Sequence, residues 1–289
     1  MLKKNKSDPV FLILMATVLS VSACSTLQPP DPNGPRSNAP PYPVVAADET
    51  NSQEDALLAW RQLAQRYSLA STSDVVLDPV TATVKGLPAD HSTLIYLPKV
   101  GVGPAQTEEE IRESLRRFID EWRSLIGAEP DQLSLVEHRD ESANIQIARY
   151  QQRPFRYALR GDYGKLVIRF NKTNRQVIEL ASNCLRNADR LQASISNLTP
   201  KVTPEDAVKQ IKGKPFSVTT TTGQQQTFSL GATEAADANQ LVIYAMPSRA
   251  NPNQLELHLA WEIDTPNSVV KKVYLDAVSG EIIAVSNEA

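Results

Sequence analysis

The sequence predicts an α+β fold of two modules, each an antiparallel β-sheet packed by an α-helix. Three observations support this prediction. Residues 255–263 alternate between apolar and polar side chains, which is the period of a strand with one face on a core. Residues 107–126 carry an apolar stripe at helical spacing. Two short apolar runs flank a polar loop at 171–174, which is typical of a hairpin.

Residues 240–289 predict a meander of antiparallel strands. A Thr-Pro-Asn-Ser turn occupies 265–268, and a tight reversal at 278–280 ends in a glycine that can adopt positive φ. Residues 241–246 are a candidate fourth strand. In the middle strand we expect one face of Leu255, Leu257, Leu259, Trp261 and Ile263 and an opposite face of Glu256, His258, Ala260 and Glu262.

Residues 1–23 have the pattern of a signal peptide. Three lysines precede an apolar run at 10–19 that is too short for a comfortable membrane-spanning helix. The segment closes with Val-Ser-Ala-Cys at 21–24, which resembles a bacterial lipobox. This resemblance implies cleavage before Cys24 and attachment of several acyl chains such as palmitate, each buried methylene adding roughly 0.8 kcal/mol of membrane affinity. An ordinary signal peptide with a coincidental cysteine is the alternative.

The residue after the cysteine is Ser25. By resemblance to Gram-negative sorting, a residue other than Asp there favours the outer membrane. We therefore expect a lipid-anchored protein of the bacterial cell envelope, on the outer membrane and facing the periplasm.

Residues 24–52 are rich in proline and predict a tether between the lipid and the folded body. As a flexible coil this tether would span roughly 30 Å. A recognition role for the proline-rich segment is the alternative. If Cys24 carries lipid, Cys184 has no partner within the chain, and we expect it to be a small buried hydrophobic residue. An intermolecular disulfide is the other possibility.

Two amphipathic helices are predicted in the first half of the chain. Residues 53–69, within the segment 53–72, are expected to pack on a core, with a partner-binding helix beside the tether as the alternative. In the helix at 107–126, Thr107 and Glu110 form a capping box and Gly127 suits the position after the last turn.

A third, shorter helix is predicted after Thr203, which is followed by proline and two acidic residues and ends at Gly213. Its inner face would be Ala207, Val208 and Ile211. Residues 188–202 are expected to be a linker, and the polar residues 219–226 an exposed hairpin. The remaining strands are expected within 73–100 and at 145–152, 165–170 and 176–180.

Three stretches resemble the propeptides of thermolysin-like metallopeptidases. Leu-Ala-Trp-Glu at 259–262 and Leu-Asp-Ala-Val-Ser-Gly-Glu at 275–281 resemble the end of the PepSY-type module. Arg-Tyr-Gln-Gln at 149–152 resembles a strand of the fungalysin/thermolysin propeptide (FTP) module, and so do residues 74–87, where the family usually has Gly in place of Ala82. The resemblance implies an FTP-like module at 73–190 and a PepSY-like module at 191–289.

Nothing in the sequence has the spacing of a catalytic or cofactor site. There is no His-Glu-x-x-His, no phosphate-binding glycine loop and no Gly-x-Ser-x-Gly. We therefore expect no enzyme, no cofactor and no metal. Glu262 and Asp264 are expected to be solvated. An unrecognised hydrolase would need His91 and His138 clustered with a carboxylate. The net charge of −3 gives no electrostatic reason to bind nucleic acid.

The propeptide family carries a catalytic domain directly after this module, and no such domain follows Ala289 in the sequence. We therefore expect a non-catalytic binding module that inhibits or chaperones a metallopeptidase in trans. The alternative is a structural or assembly lipoprotein of the envelope that uses the fold for unrelated protein contacts. In the family the chain continues from this point into the enzyme, which makes the tail the expected partner-binding segment: Ser286, Asn287, Glu288 and Ala289.

Overall fold

The computed structural model describes residues 42–46, 51–69, 75–88, 95–103, 107–153, 155–219, 225–266, 268 and 270–287. All of them belong to one compact unit, Ala39–Ala289. The signal peptide, Cys24, His91, Glu288 and Ala289 lie outside the described residues. In the described part of the chain, no helix combines the length and the apolar character needed to cross a membrane.

The architecture is α+β, as the sequence predicts. The helices are α1 (Ser52–Arg66), α2 (Glu108–Glu121), α3 (Arg123–Ile126), α4 (Ala188–Ile195) and α5 (Pro204–Ile211). The strands are β1 (Val44–Ala46), β2 (Val76–Leu77), β3 (Val84–Gly86), β4 (Leu133–Asp140), β5 (Ile145–Gln152), β6 (Ala158–Gly161), β7 (Lys165–Asn171), β8 (Val177–Ser182), β9 (Pro215–Thr219), β10 (Gln225–Ser229), β11 (Asp237–Pro247), β12 (Gln254–Asp264), β13 (Lys272–Asp276) and β14 (Ile282–Ser286).

The first large sheet has the order β4-β5-β7-β8, all antiparallel, and α1, α2 and α3 share its core. The capping box at Thr107 and Glu110 is present, and Gly127 ends α3 with a φ of 82°. Trp122 lies at the centre of this core, stacked on Phe118 with ring centroids 5.1 Å apart and edge-on to Trp60 of α1 at 6.3 Å. The helix predicted at 53–69 therefore packs on the core.

The second large sheet has the order β14-β13-β12-β11-β6, and β1 also pairs with β12. The predicted terminal meander is confirmed. Thr203 caps α5 by accepting a hydrogen bond from the Asp206 amide at 3.2 Å. Ala207 and Ile211 of α5 are buried in a cluster with residues of β12 and β13. The exposed hairpin predicted at 219–226 corresponds to the β9–β10 hairpin, whose tip lies outside the described residues.

Four elements differ from the sequence prediction: β1, β4, β6 and α4. The prediction of a tether over 24–52 is wrong at Val44–Ala46, which form β1 and pair with β12. The two β-branched residues after Pro43 favour a strand, and a proline is tolerated next to the first residue of a strand. The linker expected at 188–202 contains α4. β6 lies in the segment 73–190 but pairs with β11 of the terminal sheet, and this pairing is parallel.

Ala82 has a φ of 53° and is fully buried in the turn between β2 and β3. An alanine in the left-handed region carries a steric cost that glycine does not. Asp78 holds this turn by accepting hydrogen bonds from the Val80 and Thr81 amides at 3.0 and 2.9 Å. The geometry explains why a related sequence would carry glycine at this position.

Candidate functional site

The expected partner-binding tail follows the edge strand β14, which ends at Ser286, and Asn287 comes next. Among the described residues, β14 pairs with β13 on one side and with no strand on the other. A groove of about 280 Å³ runs beside this edge, toward the start of β9. The residues that line it all carry apolar side chains: Pro215, Phe216, Ile282, Ile283, Ala284 and Val285.

The second face of β12 is buried, which contradicts the expectation that Glu262 is solvated. The Glu262 side chain is 4% exposed and accepts hydrogen bonds from Arg160 Nε at 2.6 Å and Gln240 Nε2 at 2.9 Å. Lys272 Nζ lies 3.5 Å from it and 2.9 Å from Asp264, whose side chain is more exposed. A charge taken out of water is tolerated only when it is paired in this way.

Burial raises the pKa of Glu262, but hydrogen bonds from Arg160 and Gln240, with the charges of Arg160 and Lys272, outweigh it and lower the pKa to about 2. Arg160 lies on β6 and Lys272 on β13. The carboxylate therefore links β12 to β13 on one side and, across β11, to β6 on the other.

His258 is the second buried polar side chain on this face of β12. Its Nδ1 lies 2.6 Å from Asp276 Oδ2, and its Nε2 lies 3.3 Å from Glu256 Oε2. The Tyr42 ring covers the imidazole with centroids 3.8 Å apart. Since both ring nitrogens face carboxylates and the side chain is 9% exposed, neither nitrogen is open to a substrate. This cluster joins β1 to the sheet and has no geometry for acid–base catalysis.

Asp276, the partner of His258 in this cluster, also binds the loop that follows β13. Its Oδ1 accepts hydrogen bonds from the Val278 and Ser279 amides, both at 2.8 Å, and so holds the tight reversal that the sequence predicts at 278–280. Burial raises the pKa of Asp276, but the hydrogen bonds from His258 and from these amides outweigh it and leave the pKa below its ordinary value. Burial and the nearby Asp276 carboxylate raise the pKa of Tyr42.

The other candidate residues do not converge with this cluster. His138 lies on the first sheet, stacked near Phe170 with centroids 6.4 Å apart, whereas His258 lies on the second. Within the described ranges, no group of three His, Cys, Asp or Glu residues is placed to hold a metal ion. Cys184 is a free, fully buried thiol, and burial raises its pKa to about 12. It is the small buried hydrophobic residue that the sequence predicts.

No family model matches the chain, and no curated protein does either. Among solved structures, the chain is similar to the Bacillus megaterium YpeB C-terminal domain, at 10% sequence identity and a TM-score of 0.30. The alignment covers 79% of this chain and 95% of that one. At this TM-score, nothing about the function of this chain follows from the likeness.

The low pKa of Glu262 predicts a specific loss of stability in acid. Because its folded-state pKa lies below the ordinary value of 4.5, its contribution is complete above that pH and disappears as the pH falls toward about 2. We expect the difference in free energy of unfolding between wild type and Glu262→Gln to shrink by about 1 to 3 kcal/mol between pH 5 and pH 2.5. Urea unfolding at several pH values measures it.

The exposed Glu205 of α5 provides the matched control. The difference between wild type and Glu205→Gln should stay within about 0.5 kcal/mol over the same range. A constant difference for Glu262→Gln would contradict the burial and pairing described above.

Proposed function

We propose that this protein is a lipid-anchored, non-catalytic binding module of the bacterial envelope that engages a metallopeptidase in trans. The open outer edge of β14 carries this proposal. Among the described residues no strand pairs with this edge, which lies beside a groove lined by apolar side chains, and such an edge accepts an extended segment as an additional strand. The resemblance of the sequence to peptidase propeptides supplies the class of partner.

An extended peptide segment of the partner is the occupant that suits this edge. β14 is five residues long, which matches an ordinary strand addition. The groove would take alternate side chains of that segment, because successive side chains of a strand point to opposite faces. Its apolar lining favours hydrophobic side chains at those positions. Of the tail residues, Ser286 ends β14 and Asn287 follows it, and Asn287 would extend the contact.

The end of the proline-rich segment is paired into the folded body, which determines which form of the protein a binding experiment needs. β1 pairs with β12 from Val44 to Ala46, and Leu257 donates its amide to the Pro43 carbonyl at 3.0 Å. A body released from residues before Ser52 would lose this strand together with Tyr42. Binding experiments therefore need the chain from its beginning, either lipidated or with Cys24 replaced.

Cys24 is the proposed site of lipid attachment. In cells fed labelled palmitate, the wild-type protein should incorporate label and sediment with membranes. Cys24→Ser should lose the label, because the thioether cannot form. Cys184→Ala is the matched control and should keep the label, since Cys184 is fully buried. Equal labelling of wild type and Cys24→Ser, or none in either, would remove the lipid anchor from the proposal.

The edge of β14 is the proposed contact with the peptidase. Detergent-purified full-length protein, titrated against a thermolysin-like peptidase of the same organism, should bind and inhibit it at micromolar concentration. Ala284→Arg places a long charged side chain in the groove and should weaken inhibition by about tenfold or more, equivalent to roughly 1.4 kcal/mol.

Val136→Arg is the control for Ala284→Arg. Val136 is 53% exposed and lies on β4 of the other sheet, so its replacement should leave inhibition unchanged. Thermal unfolding verifies that both variants are folded. Absence of binding by the wild type, or equal binding by both variants, would contradict the proposal. Capture of envelope assembly proteins instead of a peptidase would favour the structural lipoprotein.

A further inference from the structure

A cavity of about 260 Å³ lies where β1, the β2–β3 turn and α4 meet. It is separate from the groove beside β14 and from the buried cluster around His258. Its lining includes both polar and apolar side chains: Tyr42, Pro43, Val44, Val45, Ala46, Ser52, Val80, Thr81, Arg186, Asn187, Arg190, Leu191 and Ser194.

Among the lining residues that the structure describes, both charged ones are arginines, Arg186 and Arg190, and none is Asp or Glu. Neither arginine has a carboxylate within 4.0 Å among the residues that the structure describes. Among the described residues, this lining therefore carries two positive charges and no acidic side chain, and the charge of Asp55, which lies outside the lining, acts on Arg186 from more than 4.0 Å away. A neighbouring cavity on the other side of Arg186 differs in this respect, because Asp55, Glu129 and Asp189 contribute to its lining.

The Arg186 guanidinium is fixed in place by backbone carbonyls. Nε donates to Thr81 O at 3.1 Å, and Nη2 donates to Ala82 O at 2.8 Å and Ser124 O at 2.5 Å. These bonds do not use Nη1. Burial lowers the pKa of Arg186, and the charge of Asp55 opposes this shift without cancelling it. An arginine positioned in this way is preorganised for an oxyanion.

Arg190 follows Arg186 by four residues, and Ser194 follows Arg190 by four. Residues at this spacing share one face of a helix, which places Arg190 and Ser194 along the α4 wall of the cavity. The Arg190 side chain is exposed and makes no ion pair with a described residue. Asn187 also lines the cavity and makes no capping bond with its side chain. These donors therefore all come from the segment that contains α4.

We propose that this cavity binds a phosphate group. Two guanidinium groups match the charge of a phosphate monoester, and a tetrahedral oxyanion has enough acceptors for Arg186, Arg190 and Asn187 together. The volume is below the roughly 300–1,000 Å³ of pockets for drug-sized ligands, so it suits a headgroup. The phosphate has two possible sources, a soluble phosphate and a lipid headgroup.

Titration of full-length protein in a non-ionic detergent, followed by ³¹P NMR, tests the proposal. One arm uses inorganic phosphate, and the other uses dihexanoyl phosphatidic acid, with dihexanoylglycerol added as a phosphate-free competitor that should not displace it. Saturable binding is expected in at least one arm, and the stronger arm identifies the source. No saturable binding below about 10 mM in either arm, a Kd that corresponds to only about 2.7 kcal/mol, would overturn the proposal.

Arg190→Gln is the test variant, because Arg190 makes none of the backbone contacts that hold Arg186. It should weaken phosphate binding by about tenfold, which corresponds to roughly 1.4 kcal/mol. Arg61→Gln, at an exposed position on α1, is the matched control and should bind as wild type. Equal affinities for wild type and Arg190→Gln, or equal losses in both variants, would overturn the proposal.

The chain between β1 and α1 contains two acids, Asp48 and Glu49, outside the described residues. The double variant Asp48→Asn, Glu49→Gln separates an internal counter-ion from a bound phosphate. Under the proposal the wild type already binds phosphate, and the double variant binds it at least as tightly. Binding that is absent from the wild type and is present only in the double variant would assign the cavity to these acids and overturn the proposal.

Discussion

Strand β12 is buried on both faces, and this constraint determines much of the rest of the structure. A strand with one solvated face needs no partners for its polar side chains, whereas the charges on a doubly buried strand must be compensated within the protein. Glu262 obtains Arg160 from β6 and Lys272 from β13. His258 obtains Asp276 from β13 and is covered by Tyr42. Glu262 and His258 thus both pair with β13, and each also contacts a segment from much earlier in the chain, β6 for Glu262 and Tyr42 for His258.

This constraint explains why the terminal sheet includes strands from outside residues 191–289. β6 contributes a parallel edge and the counter-ion of Glu262, and β1 fills the part of the β12 edge that β13 leaves open. The tether thus enters the body through the same sheet that carries the open edge of β14. In our proposal, the chain from the bilayer anchor joins this sheet at β12, and the outer edge of β14 stays available to a partner.

The sequence predicted the elements whose signals are local. The capping box at Thr107, the cap at Thr203 and the alternation along β12 all depend on residues within a few positions of each other, and the structure confirms them. The Asp276 turn is also local.

β6 could not be predicted, because it is four residues long and its partner strand begins more than seventy residues later. For the same reason Glu262 was expected in solvent, since Arg160 precedes it by 102 residues. The Arg186 and Arg190 spacing was visible, but the cavity forms only when β1 and α4 meet. Lipidation of Cys24 and the role of the tail stay predictions.

A double-mutant cycle between Arg160 and Glu262 tests most directly whether distant segments compensate the buried face of β12. The free energy of unfolding at pH 7 is measured for wild type, Arg160→Gln, Glu262→Gln and the double variant. We predict a coupling energy of about 1.5 to 3 kcal/mol, as for a buried charged pair in hydrogen-bond contact. A coupling energy below about 0.5 kcal/mol, as for exposed ion pairs, would contradict the account.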